Sequence, residues 1–79
     1  MIPEGERPIA IVIGENVNKY RQELGMSIKE FCKQLDYTMA SYQKLVRGDI
    51  EVKAKTIQLL AFHLHISTID LIEDWSVGE

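Results

Sequence analysis

The sequence predicts an all-α domain built from five short helices. Three observations lead there. Apolar residues recur at three- and four-residue spacing through most of the chain, the period of helices that bury one face. Two serines stand three residues ahead of a carboxylate, Ser27 before Glu30 and Ser67 before Asp70, which is the capping-box signature of a helix start. Gly25 and Gly48 fall where two of the apolar patterns stop, as helix terminators do.

Met1 to Arg7 is polar and carries Pro3 and Gly5, so residues 1–8 are expected to form a flexible arm. Pro8 suits the first position of a helix, and Ile9, Val12 or Ile13, Val17, Tyr20 and Leu24 follow at helical spacing up to Gly25. The β-branched run Ile9-Ala10-Ile11-Val12-Ile13 also suits a short strand paired with another subunit, in which case the first helix starts as late as Gly14. Ser27 caps a second helix from Ile28, with Phe31, Cys32 and Leu35 inward and Lys29, Lys33 and Gln34 outward. The chain breaks at Asp36-Tyr37. Thr38 can then cap a third helix whose inward residues are Ser41, Tyr42 and Leu45, and Gly48 ends it. Asp49 to Val52 connects to a fourth helix carried by Ile57, Leu60, Ala61 and Leu64, with His65 standing where a terminating glycine is expected. Ser67 opens a last short helix bearing Ile69, Leu71 and Ile72, and Trp75 follows. Residues 9–75 make the domain and 76–79 a tail.

Seventy-nine residues, 46% apolar and 27% charged, make one small soluble globule that buries only about 60% of its unfolded surface. No apolar run nears the roughly 18 residues of a membrane-spanning helix. The start of the chain lacks the basic region and apolar core of a signal peptide, and one cysteine forms no internal disulfide; both point to the cytoplasm. The net charge of −3 is unevenly spread: residues 13–64 carry +2 and the acidic ends supply the rest. A mildly positive centre permits a nucleic-acid face without marking one. No Ser-His-Asp set, glycine-rich phosphate loop or inward carboxylate pair is present, so neither an enzyme nor a cofactor is expected. His63 and His65, two apart on a helix, point to different faces and make no zinc site. Cys32 is expected as a core thiol. Ile69, Ile72 and Trp75 are either core and cap residues or an apolar edge that forms a dimer.

The stretch Ser27–Gly48, SIKEFCKQLDYTMASYQKLVRG, places two short amphipathic helices around a turn of three or four residues, the helix-turn-helix arrangement. Around it stand Ile13-Gly14-Glu15-Asn16-Val17, Arg21-Gln22-Glu23-Leu24-Gly25-Met26-Ser27, Arg47-Gly48, and Leu59-Leu60-Ala61-Phe62-His63-Leu64 before Ile66-Ser67. In this order and spacing, residues 13–72 resemble the phage repressor and Cro-like helix-turn-helix family, also called the xenobiotic-response-element family. The resemblance implies a five-helix lambda-repressor-like domain. It implies a sequence-specific transcriptional regulator, typically a repressor, that acts as a homodimer on a two-fold double-stranded DNA operator with the third helix in the major groove.

By the same resemblance, Met39, Ala40, Gln43 and Lys44 would read bases. Lys44 would donate to guanine O6 and N7, Gln43 would pair with adenine, and Met39 and Ala40 would touch a thymine methyl. Thr38 and Arg47 would hold phosphates, with Ser27 and Lys29 at the start of the second helix beside the same backbone. The chain departs from the family pattern at Ile28, at Asp36 in the inter-helix turn, at Asp49 and Glu51, and at Val46, where a glutamate commonly pairs with the arginine at Arg21. An unpaired buried arginine would cost roughly 3–5 kcal/mol, so Arg21 is expected to be exposed, paired with Glu51 or Asp49, or bonded to phosphate. These departures weaken attraction to DNA. They motivate a second expectation, a protein-interaction module on the same fold, such as an anti-repressor, an accessory subunit or an antitoxin, with a protein partner.

Overall fold

The computed structural model describes residues 5–75. Five helices follow in order: α1 (Ile9–Glu23), α2 (Ile28–Leu35), α3 (Met39–Arg47), α4 (Ala54–Leu64) and α5 (Thr68–Ile72), with no strand among the described residues. Residues 1–4 of the expected arm and the 76–79 tail lie outside the described residues.

The ambiguous run from Ile9 to Ile13 is helical. Pro8 sits just ahead of α1, and its carbonyl accepts from the Ile11 and Val12 N–H groups at 3.0 and 3.2 Å. Tertiary burial decides against the strand: Val12, Ile13 and Val17 are all at most 3% exposed, which outweighs the modest helix penalty of β-branched residues. The buried stripe of α1 is not the expected one at its ends. Ile9 and Leu24 are 56% and 44% exposed, while Gly14, Asn16 and Arg21 are buried instead. The reason is that α1 packs against α3, α4 and α5 together, so its covered face is wider and displaced from a single-partner stripe.

Gly14 allows the closest of these approaches. A Cβ there would lie 2.7 Å from the Val46 carbonyl oxygen and against that of Leu45. Gly48, at φ +75°, meets α1 from the other side, 2.6 Å from the Ile11 side chain for a hypothetical Cβ. The end of α3 is therefore seated directly on the start of α1.

Phe31, Cys32 and Leu35 from α2, Tyr42 and Leu45 from α3, Leu60, Ala61 and Leu64 from α4 and Leu71 from α5 complete the core. Phe31 meets Tyr42 edge to face, with ring centroids 6.0 Å apart. Both capping boxes form reciprocally. Each of the first four helices ends with a left-handed residue and the paired backbone bonds of a Schellman turn, at Gly25, Asp36, Gly48 and His65. His65 thus terminates α4 without being glycine, at φ +60°.

Two long-range polar ties had no local signal. Asn16, 5% exposed, donates from Nδ2 to the Leu71 and Glu73 carbonyl oxygens at 2.6 and 2.8 Å, satisfying the end of α5 from α1. Arg7 forks to Glu15 and to Asp74, with contacts of 2.7 and 2.8 Å. Ile69 and Ile72 stand exposed, and Trp75 donates from its indole to the Asp70 carbonyl.

Candidate nucleic-acid interface

The corner between α2 and α3 is built by backbone chemistry. Asp36 takes a left-handed conformation, the Tyr37 N–H donates to the Cys32 carbonyl at 2.9 Å, and Thr38 restarts the chain as the cap of α3. Phe31 against Tyr42 then sets the two helices together from the inside. With Tyr42 and Leu45 buried, the opposite side of α3 presents Met39, Ala40, Gln43, Lys44 and Arg47, all exposed. Their spacing of one and four residues makes them one face of about a third of the helix circumference. Ser41, expected inward, is half-buried at its border.

Ser27, Lys29 and Thr38 are exposed as well, at helix starts rather than on this face. Both hydroxyls are occupied: Ser27 Oγ accepts from the Glu30 N–H, and Thr38 Oγ1 accepts from the Ser41 N–H, each at 3.1 Å. What these starts offer an anion is the N–H groups of their first turns, Ile28 and Lys29 in α2, Met39 and Ala40 in α3. At the start of α2 the Glu30 carboxylate, returning to the Ser27 N–H, opposes part of that attraction.

Charge on the reading face is sparse. Lys44 has no ion pair among the described residues, whereas Arg47 is held by Asp49 at 3.0 Å, both side chains more than half exposed. Asp36 is exposed in the corner between the helices.

Arg21 is neither exposed nor paired with Glu51 or Asp49, two of the three arrangements expected of it. It is 7% exposed and bonded to no carboxylate among the described residues. Neutral oxygens take the place of the charge partner: Nε donates to the Tyr42 hydroxyl at 2.8 Å, Nη1 to the Met26 carbonyl at 2.6 Å and Nη2 to Asn18 Oδ1 at 3.0 Å. The Tyr42 hydroxyl in turn donates to Asn18 at 3.1 Å. The guanidinium thereby joins the end of α1, the residue before the α2 cap and the middle of α3, so it helps to fix how α3 stands relative to the start of α2. Burial pushes the Tyr42 phenol up, with the Arg21 hydrogen bond acting against it.

Burial also raises the Cys32 thiol, whose side chain is 5% exposed, as expected of a core residue. Among the described residues no group of three or more His, Cys, Asp or Glu side chains is arranged to hold a metal ion. No described helix is long and apolar enough to cross a membrane.

A helix-turn-helix family model matches residues 17–71. That span takes in the second half of α1 and everything through Leu71, with both members of the motif inside it. Neither a curated protein nor a solved structure matches the chain. The match covers well over half of the sequence, spans the capped α2–α3 corner and is compatible with the five-helix architecture. The chain therefore belongs to the helix-turn-helix family of phage repressor and Cro-like DNA-binding regulators.

Proposed function

We propose that the protein is a sequence-specific transcriptional repressor of the cytoplasm, acting as a homodimer that inserts α3 into the major groove of a two-fold DNA operator. The observation that carries this reading is the undivided exposed face of α3, with Met39, Ala40, Gln43, Lys44 and Arg47 turned away from the buried Tyr42 and Leu45. Lys44 donates to guanine, Gln43 pairs with adenine, and Met39 and Ala40 meet thymine methyls. Arg47, Lys29 and the first-turn N–H groups beside Ser27 and Thr38 hold the phosphates.

The test is selection of bound genomic fragments by the purified protein across a salt series. Binding should weaken with a log–log slope of about −0.9 per phosphate neutralised. Lys44→Ala should lose roughly 1–3 kcal/mol of discrimination at one base pair. Unchanged binding in both Lys44→Ala and Arg47→Ala would remove this assignment of contacts.

The ion pair of Arg47 with Asp49 favours a second reading, a protein-interaction module with a weakened DNA face, such as an anti-repressor, accessory subunit or antitoxin. Asp49→Asn separates the two. Under the DNA reading it removes the carboxylate that competes with phosphate for Arg47 and tightens binding to the selected fragments, whereas stability moves by less than about 0.5 kcal/mol. Under the other reading no fragment shifts at low salt in either form.

A further inference from the structure

We propose that the apolar groove between the start of α1 and α5 receives α4 of a second copy of this chain, with Phe62 as the anchoring side chain. This deepens the dimer of the function proposed above by naming the faces that join. The groove has a volume of about 340 Å³ and is walled by Ile9, Ile69 and Ile72, which are 56%, 66% and 42% exposed. Branched aliphatics clustered in water around one concavity mark a place where another surface belongs.

The rim decides which surface. Arg7 lies on it, but its guanidinium is committed to Glu15 and Asp74. Glu6 and Glu73, also on the rim, have no ion-pair partner among the described residues. Two copies joined groove to groove would bring these carboxylates together, an arrangement that like-charge repulsion disfavours. The occupant must instead offer apolar knobs with cations beside them.

The outer side of α4 has that composition. Lys55, Leu59 and Phe62 follow at four- and three-residue spacing, so they share one face. Leu59 is 44% exposed, and Phe62, at 73%, is the most exposed large apolar side chain among the described residues. From Val52 to Ile69 the chain contains no carboxylate, while Lys53 and Lys55 have no ion-pair partner among the described residues. The inner side of α4, through Leu60, Ala61 and Leu64, is already buried in the core, which holds the stripe rigid. An apolar helix face flanked by lysines entering an apolar groove flanked by glutamates is the helix-in-groove mode of recognition. Reciprocal exchange, each α4 in the other's groove, closes the pair around a two-fold axis.

Sedimentation velocity of the full chain without DNA, over a concentration series, tests this. The parent protein should sediment as a dimer. Two double variants reverse the charge of one face each, Lys53→Glu with Lys55→Glu, and Glu6→Lys with Glu73→Lys. Each alone should dimerise at least about tenfold more weakly, because it sets like charges against each other. An equimolar mixture of the two should restore the dimer, since every stripe then meets a groove of opposite sign. Phe62→Ala should weaken dimerisation by about tenfold or more with an unchanged melting curve of the monomer. A parent protein that stays monomeric, a lysine variant that dimerises like the parent, or a mixture that does not associate would overturn the proposal. All these readings are taken without DNA, so failure here is distinguishable from failure of the Lys44 and Arg47 contacts.

Discussion

The guanidinium of Arg21 donates from Nε to the hydroxyl oxygen of Tyr42 at 2.8 Å, across 21 residues of sequence, and no carboxylate shares the site among the described residues. A buried cation satisfied only by neutral oxygens has its hydrogen bonds but not the Coulombic return that offsets desolvation. Two substitutions separate those terms. Tyr42→Phe leaves the charge in place and orphans the Nε–H, so it should destabilise by about 1–3 kcal/mol. Arg21→Met removes the charge and leaves the Tyr42–Asn18 bond standing, so it should shift stability by no more than about 1 kcal/mol. In the Arg21→Met background, Tyr42→Phe should become milder. Urea denaturation of the four proteins measures the coupling, and additive effects would show that the pair does not act as a unit.

Gly14 should resist replacement by the best helix former. Alanine in the middle of an exposed helix gains up to about 1 kcal/mol over glycine, but here its methyl would enter the space of the Leu45 and Val46 carbonyls. Backbone cannot rotate away as a side chain does, so Gly14→Ala should destabilise by about 1–3 kcal/mol or more, read as a fall in the urea midpoint. A midpoint at or above that of the parent would mean that α1 and α3 are less closely seated.

The opposite sign is expected at His65. Its side chain is exposed and its backbone is left-handed, a conformation that L-residues with a Cβ adopt at a cost. His65→Gly should raise stability by about 0.5–1 kcal/mol, which for a domain of this size is a rise of a few degrees, about 2–8 °C, in Tm. A lowered Tm would assign the imidazole a contact that outweighs the backbone strain.

Acid sensitivity should run partly through Arg7. Its hydrogen bond holds the Glu15 carboxyl below the ordinary carboxylate range, while Asp74 and then Glu15 hold the guanidinium more firmly protonated. A carboxyl lowered in the folded state contributes stability that is fully present above its unfolded pKa of about 4.3 and is lost as pH falls through the folded value. Arg7→Gln should therefore flatten the fall of stability with pH below about 4.5, and added salt should shrink the difference because the pair is exposed. Identical acid profiles for the two proteins would sever this link.

Much of the candidate interface was legible because it depends on neighbours in sequence. Ser27 with Glu30 and Ser67 with Asp70 are reciprocal caps three residues apart, and Met39, Ala40, Gln43, Lys44 and Arg47, named from the family resemblance, lie on the side of α3 opposite the inward Tyr42 and Leu45. Local chemistry therefore determined where α2, α3 and α5 begin, which side of α3 meets solvent and, with the spacing of the motif, the five-helix class. Contacts distant in sequence decided the remainder. Whether Ile9 to Ile13 became helix or strand, why Gly14 and Asn16 are buried, how Arg21 is satisfied without a carboxylate and why Arg7 reaches Asp74 all depend on what α3, α5 and the segment just after α5, Glu73 and Asp74, place beside α1. Propensity and periodicity describe one element against an averaged environment; a buried hydrogen bond or a backbone contact exists only once two elements have met.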